Sequence, residues 1–122
     1  MTDPTDVLLL SADRFTRAPL RAQLIEDGFE VIGTDTWPMM RRHLRPGSKP
    51  RVAIVDLHDL QGADDVLRDL RVLMKRECVI VLAAPGATAA DDVERLGCRV
   101  LRRPISIGDI VAAARSLRDG RQ

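Results

Sequence analysis

Five short apolar runs, separated by stretches whose apolar residues recur every three or four positions, constrain this chain more than any other feature. The runs fall at 7–10, 29–33, 51–55, 79–82 and 99–101. Val7-Leu8-Leu9-Leu10 and Val79-Ile80-Val81-Leu82 carry no polar residue at all, as expected of strands covered on both faces. The run at 29–33 is more polar, which predicts an edge position. Helices are predicted between them. One spans about 16–27, with Pro19 in its first turn and Leu20, Leu24 and Ile25 on one face. A second starts near Thr36, with Pro38 in its first turn and Met39, Met40 and Leu44 as its apolar positions. A third, about 63–75, carries Val66, Leu67, Leu70, Leu73 and Met74 at helical spacing. A short fourth helix covers about 88–96. The last opens at Ser106, where Asp109 completes a capping box, and carries the stripe Ile107, Ile110, Val111, Ala114 and Leu117. Gly28 and Gly97 stop helices, and 46–50 is a Pro-Gly breaker. Strands alternating with helices imply a parallel sheet, helices on both faces and right-handed crossovers.

Composition narrows the function classes. The chain has 122 residues, 45% hydrophobic and 30% charged, enough for one domain spanning 1–122 and too few for two. A net charge of +1 gives no field that would gather nucleic acid or an anionic membrane. The basic stretch 41–45 therefore reads as a solvated helix face. No apolar run reaches the length of a membrane span and the amino end is polar, which predicts a cytoplasmic protein. Cys78, at a strand start, and Cys98 lack metal-ligand spacing and read as buried free thiols. Trp37, Met39 and Met40 read as core and helix-edge packing, and Asp64 and Asp65 as first-turn residues suited to the helix dipole.

The third apolar run leads into Asp56 and then the polar stretch 57–62. A strand ending on a carboxylate places it at the carboxyl edge of the sheet, where ligands and chemistry collect in open α/β folds. With five strand-helix units, this Asp and Arg103-Pro104 after the fifth strand, the chain resembles the receiver domain of two-component response regulators. The resemblance covers essentially the whole chain and is best over 52–71, 97–105 and the first strand-helix unit. It implies a flavodoxin-like three-layer sandwich, with a five-stranded parallel sheet in the order 2-1-3-4-5 and five helices. It also implies a bacterial signalling protein in which a sensor histidine kinase phosphorylates Asp56. The aspartyl phosphate in that family needs a divalent cation to neutralise carboxylate and phosphoryl charge. The ligands for Mg²⁺ come from an acidic pair ending the first strand, the acceptor, and a main-chain carbonyl two residues on. A Thr or Ser and a Lys hold the phosphoryl oxygens.

Position by position, the match is partial. The acidic pair falls on Ser11 and Ala12, with Asp13 one residue late; the Thr/Ser position is Ala83 and the Lys position is Arg103. Arg retains the charge in a wider, rigid fork. The aromatic switch position falls on Leu101 or Val100, and Arg103-Pro104 is a candidate cis bond. The chain is thus identified as a degenerate pseudo-receiver: not an enzyme, but a regulatory interaction or dimerisation module, with the sequence leaving open whether Arg103 reaches Asp56. Expected partners are a sensor kinase, an effector domain or a second copy. The expected surface is helix four, strand five and helix five within 91–118, with Arg95, Arg102, Asp109 and Arg115 as exposed pairing candidates. Two alternatives stand beside this. One is a working phosphorelay receiver, with Mg²⁺ held by Asp13, Asp56 and the main-chain carbonyl of His58. The other is a small-ligand binder at the same edge.

Overall fold

The computed structural model describes residues 5–44 and 50–120. The elements run β1 (Val7–Leu10), α1 (Arg14–Glu26), β2 (Val31–Thr34), α2 (Trp37–Arg41), β3 (Val52–Asp56), α3 (Ala63–Leu73), β4 (Val79–Ala83), α4 (Thr88–Arg95), β5 (Arg99–Arg102) and α5 (Ile107–Arg118). The strands form one parallel sheet in the order β2-β1-β3-β4-β5, so the predicted topology and the edge position of β2 are borne out.

The period-two pleat sorts the strand residues into two cores. Val7 and Leu9, Val52 and Ile54, Ile80 and Leu82 pack with α1 and α5. Leu8 and Leu10, Ala53 and Val55, Val79 and Val81 pack with α2, α3 and α4. All twelve are at most 1% exposed, which explains why the central runs are apolar throughout rather than alternating. Each buried Leu or Ile contributes roughly 1.5–3 kcal/mol before conformational entropy is counted. The parallel register holds to the carboxyl ends of the central strands, where Leu10 pairs with Val55 and Asp56 with Leu82.

Several predicted boundaries shift. α1 begins at Arg14 rather than 16, because Asp13 caps it: its carboxylate accepts from the Phe15 amide at 3.0 Å and the Thr16 hydroxyl at 2.8 Å. Pro19 consequently sits inside the helix, past the first turn. β2 starts at Val31, two residues late, with Phe29 buried ahead of it. α2 has only five residues. Met40 is buried and Trp37 half-buried against the second core, but Met39 is 44% exposed and leaves the core. α3 ends at Leu73, which is exposed, because the helix face turns outward before the strand begins. Asp64 and Asp65 do lie in its first turn. Cys98 is buried; Cys78 is half-buried, in a 3-10 turn ahead of β4 rather than in the strand. The stretch 46–49 of the breaker lies outside the described residues, as does Arg45.

The Ser106–Asp109 capping box forms in both directions, at 3.0 and 3.3 Å. At the other end of α5, Arg115 forms an ion pair with Asp27 at the end of α1. Arg118 lies 4.4 Å from the Phe29 ring centroid and donates to the Asp27 carbonyl at 3.1 Å. The hydrogen bond from Arg115, with the positive charges of Arg115 and Arg118, holds the Asp27 carboxyl below its ordinary range despite partial desolvation. A carboxyl depressed in the folded state adds stability above its unfolded pKa and loses it as pH falls through the folded one. The melting-temperature advantage of the parent over Asp27→Asn should therefore be constant near neutrality and shrink as pH drops below about 4. A difference independent of pH down to strong acid would show that the pair does not stabilise the α1–α5 junction.

Candidate functional site: a saturated carboxylate at the sheet edge

The same pleat builds the site. Ser11 follows β1 in phase with Val7 and Leu9; Asp56 ends β3 in phase with Val52 and Ile54; Arg103 follows β5 in phase with Leu101, on the α1–α5 side. Three side chains far apart in sequence thus meet at one edge. Asp56 is 0% exposed, as is Ser11. The two terminal guanidinium nitrogens of Arg103, Nη1 and Nη2, donate end-on to the two Asp56 oxygens, at 3.1 and 3.2 Å. The Ser11 hydroxyl lies 3.0 Å from Oδ2 and the His58 amide donates to Oδ1 at 3.1 Å. A carboxylate offers about four acceptor sites, and each oxygen here has two polar neighbours, the single Ser11 hydroxyl hydrogen being shared between Oδ2 and the Asp13 carbonyl at 3.2 Å. The Arg103 amide donates to the Ala83 carbonyl at 2.8 Å, which fixes the base of the fork, and Arg103-Pro104 is cis as the sequence suggested.

Buried charges persist where they are paired and hydrogen-bonded. No buried side-chain polar atom among the described residues lacks a hydrogen-bond partner. Arg103 is itself one-third exposed, so the pair lies at the boundary of the core, with the carboxylate inside and the cation reaching the surface.

The neighbouring candidates have other partners. Asp13 is half-buried and capped onto α1; the Thr16 hydroxyl and then the Phe15 amide hold its carboxyl below the ordinary range, with small help from His58 and Arg103. Ala12 is exposed and Ala83 fully buried. The His58 imidazole lies outside the fork, 3.3 Å from Asp59 and half exposed. Among the described residues no group of three or more His, Cys, Asp or Glu converges as a metal site. The sequence reading missed the Ser11 hydroxyl as a donor to Asp56, and Arg17, which donates to the Ser11 carbonyl at 2.6 Å. The signal for Arg17 was its place one turn past the Asp13 cap.

The four surface candidates also divide. Arg102 points opposite to Arg103, to the α4 side. It pairs with Asp91, lies 3.8 Å from Glu94, and reaches the Ala84 and Ala87 carbonyls at 3.4 and 3.5 Å. It is half-buried rather than exposed, because the strand edge and α4 enclose it. Asp109 is exposed but serves the α5 cap, and Arg115 is exposed but paired with Asp27. Arg95 is exposed, 3.4 Å from Asp92 on its own helix.

Neither a family model nor a curated protein sequence matches this chain. Solved structures do. A response regulator receiver domain from Clostridium thermocellum aligns at TM-score 0.79 and 22% identity over 95% of each chain. A response regulator receiver protein from Pseudomonas putida aligns at TM-score 0.76 and 23% identity, over 95% of this chain and 99% of that one. A structure described as adenylate cyclase from Rhodopirellula baltica aligns at TM-score 0.77 and 22% identity, over 93% and 87%. At these identities the likeness is one of architecture. The chain has the fold of the response regulator receiver domain.

Proposed function

We propose that this chain is a single-domain, receiver-like regulatory module of a cytoplasmic two-component-type system, acting through protein contacts without Mg²⁺-dependent phosphorylation of Asp56. The observation that carries the reading is the saturation of Asp56. To attack a phosphorus atom, a carboxylate oxygen must present a lone pair to it, and here both oxygens are engaged by Arg103, Ser11 and His58. The donor set does not suit Mg²⁺ either, since that ion wants near-octahedral oxygen ligation that includes one or two carboxylates. Ser11 and Ala12 stand where the resemblance asks for acids, and the Asp13 carboxylate is held by the α1 cap. In place of a cation and a phosphoryl group the site holds one guanidinium.

The output surface under this reading is α4–β5–α5, facing an effector domain, a kinase or a second copy. Arg102 ties β5 to α4 through Asp91 and Glu94, so α4 is held against the strand in one arrangement. Arg95 is the side chain on this surface best placed to pair across an interface. The module carries no reaction of its own.

An amide NMR titration tests the proposal. Addition of millimolar Mg²⁺, then beryllofluoride as a phosphoryl mimic, is expected to leave the spectrum unchanged. Saturable shifts at Asp13, Asp56, His58 and Ala83 that spread into α4 and β5 would overturn it in favour of a working phosphorelay receiver.

A further inference from the structure

The same carboxyl edge carries a second feature that does not involve Asp56 or Arg103. A cavity of about 640 Å³ opens between the loops that follow β2 and β3, within the size range of small-molecule sites. Its apolar lining comes from Ala12, Trp37, Pro38, Leu60 and Val66; its charged lining is Asp35, Asp59 and Asp65, with no Lys or Arg among the described residues. The walls are built rather than loose. Trp37 and Leu60 are partly buried against the second core. The loop folds back through the Leu60 amide to the Leu57 carbonyl at 3.2 Å, and passes through left-handed backbone at Asp59 (φ 56°) and Gly62 (φ 65°). Exposed Ala12, small where the receiver resemblance asks for an acid, adds a methyl group to the lining.

The charges are not equally available. Asp65 is 2.6 Å from Arg68 on its own helix, and the Asp59 carboxylate is 3.3 Å from the His58 imidazole, a partner that is cationic only when protonated. Asp35 makes no ion pair or side-chain hydrogen bond among the described residues. An apolar cavity with an indole wall and an uncompensated carboxylate selects one chemistry: a cation carried on a flat or compact apolar body. Its charge can face the carboxylate while its body, or the charge itself, lies against the Trp face.

From this juxtaposition we infer that the cavity between the β2–α2 and β3–α3 loops is a binding site for a small organic cation, an amine or amidine with an apolar body. The inference is independent of the reading of Asp56, and a response to Mg²⁺ there would leave it standing.

Trp37 is the sole tryptophan, so its fluorescence reports the site directly. Benzamidine is the probe and neutral benzamide its isosteric control, both titrated at constant ionic strength. Benzamidine is expected to give a saturable change in the millimolar range, with benzamide at least about fivefold weaker, the discrimination that an exposed cation–π contact plus a surface carboxylate supplies. Asp35→Asn, at an exposed position, should weaken benzamidine about two- to fivefold and leave benzamide unchanged. Gln61→Arg, which adds a cation at the exposed mouth, should abolish benzamidine binding selectively. Both variants are checked for parental melting temperature. A linear, non-saturating response would overturn the inference. So would equal affinity for the two probes, or an unchanged benzamidine affinity in Asp35→Asn.

Discussion

Replacing Arg103 by Ala is expected to destabilise the domain by about 3 kcal/mol, more than replacing Asp56 by Ala. The asymmetry follows from burial. Without Arg103, Asp56, which is 0% exposed in the parent, has only the Ser11 hydroxyl and the His58 amide to hold its charge. Breaking a buried pair from the exposed side strands a charge in the core, at a cost of about 3–5 kcal/mol; the lower end applies because the gap left by Arg103 admits some water. Without Asp56, Arg103 is already one-third exposed and can turn into solvent. Asp56→Ala then loses the two charge-assisted hydrogen bonds from Ser11 and His58, but it also removes the buried charge whose desolvation opposed them, leaving a net loss of about 1–2 kcal/mol. The double variant should be more stable than Arg103→Ala alone. For a domain of this size, a loss of about 3 kcal/mol lowers the melting temperature by about 10 °C. Equal losses in the two single variants, or strict additivity in the double, would mean that the fork is not what keeps Asp56 buried.

The second large effect is a gain. Ser11→Asp, Ala12→Asp, Ala83→Thr and Arg103→Lys together should make the stability of the domain depend on Mg²⁺. Ser11 is fully buried beside Asp56, so an Asp there places like charges together and destabilises the metal-free protein. A cation that binds only the folded state then stabilises by mass action, by about 2.7 kcal/mol at a hundred times its dissociation constant. That corresponds to roughly 10 °C in melting temperature. The parent should show no rise beyond a sodium control at equal ionic strength. A parent that responds to Mg²⁺ as strongly as the rebuilt protein would refute the claim that these four positions remove the metal site. A rebuilt protein that melts identically with and without Mg²⁺ would refute it equally.

Both predictions turn on Arg103, and its neighbour Arg102 shows where the sequence stopped being legible. The two look alike in the sequence, and Arg102 read as an exposed surface charge. The pleat sends them to opposite sides of the sheet, one into the acidic edge of α4 and the other into Asp56. Their roles depend on what waits there, not on their own identity. Met39 and Leu73 show the same limit on helices. Both fit an apolar periodicity, yet α2 is only five residues long and α3 ends at Leu73, so both side chains are exposed.

The parts that were legible have local causes. Strands covered on both faces must be apolar throughout, so β1 and β4 could be read directly. Their alternation with helices leaves few topologies, and the order β2-β1-β3-β4-β5 is one of them. The α5 capping box is likewise a contact between residues three apart. The sequence by itself therefore determined the strands, the parallel sheet and the edge position of Asp56, while the sheet order and the lack of an acidic pair were legible only through the resemblance to receiver domains. Only the tertiary structure decided that Ser11, His58 and Arg103 engage both oxygens of Asp56, that Asp13 is turned into a helix cap, and that an acidic, tryptophan-lined cavity opens beside them. Those outcomes depend on distances between residues up to 47 positions apart, set by strand register and helix packing rather than by any pattern along the chain.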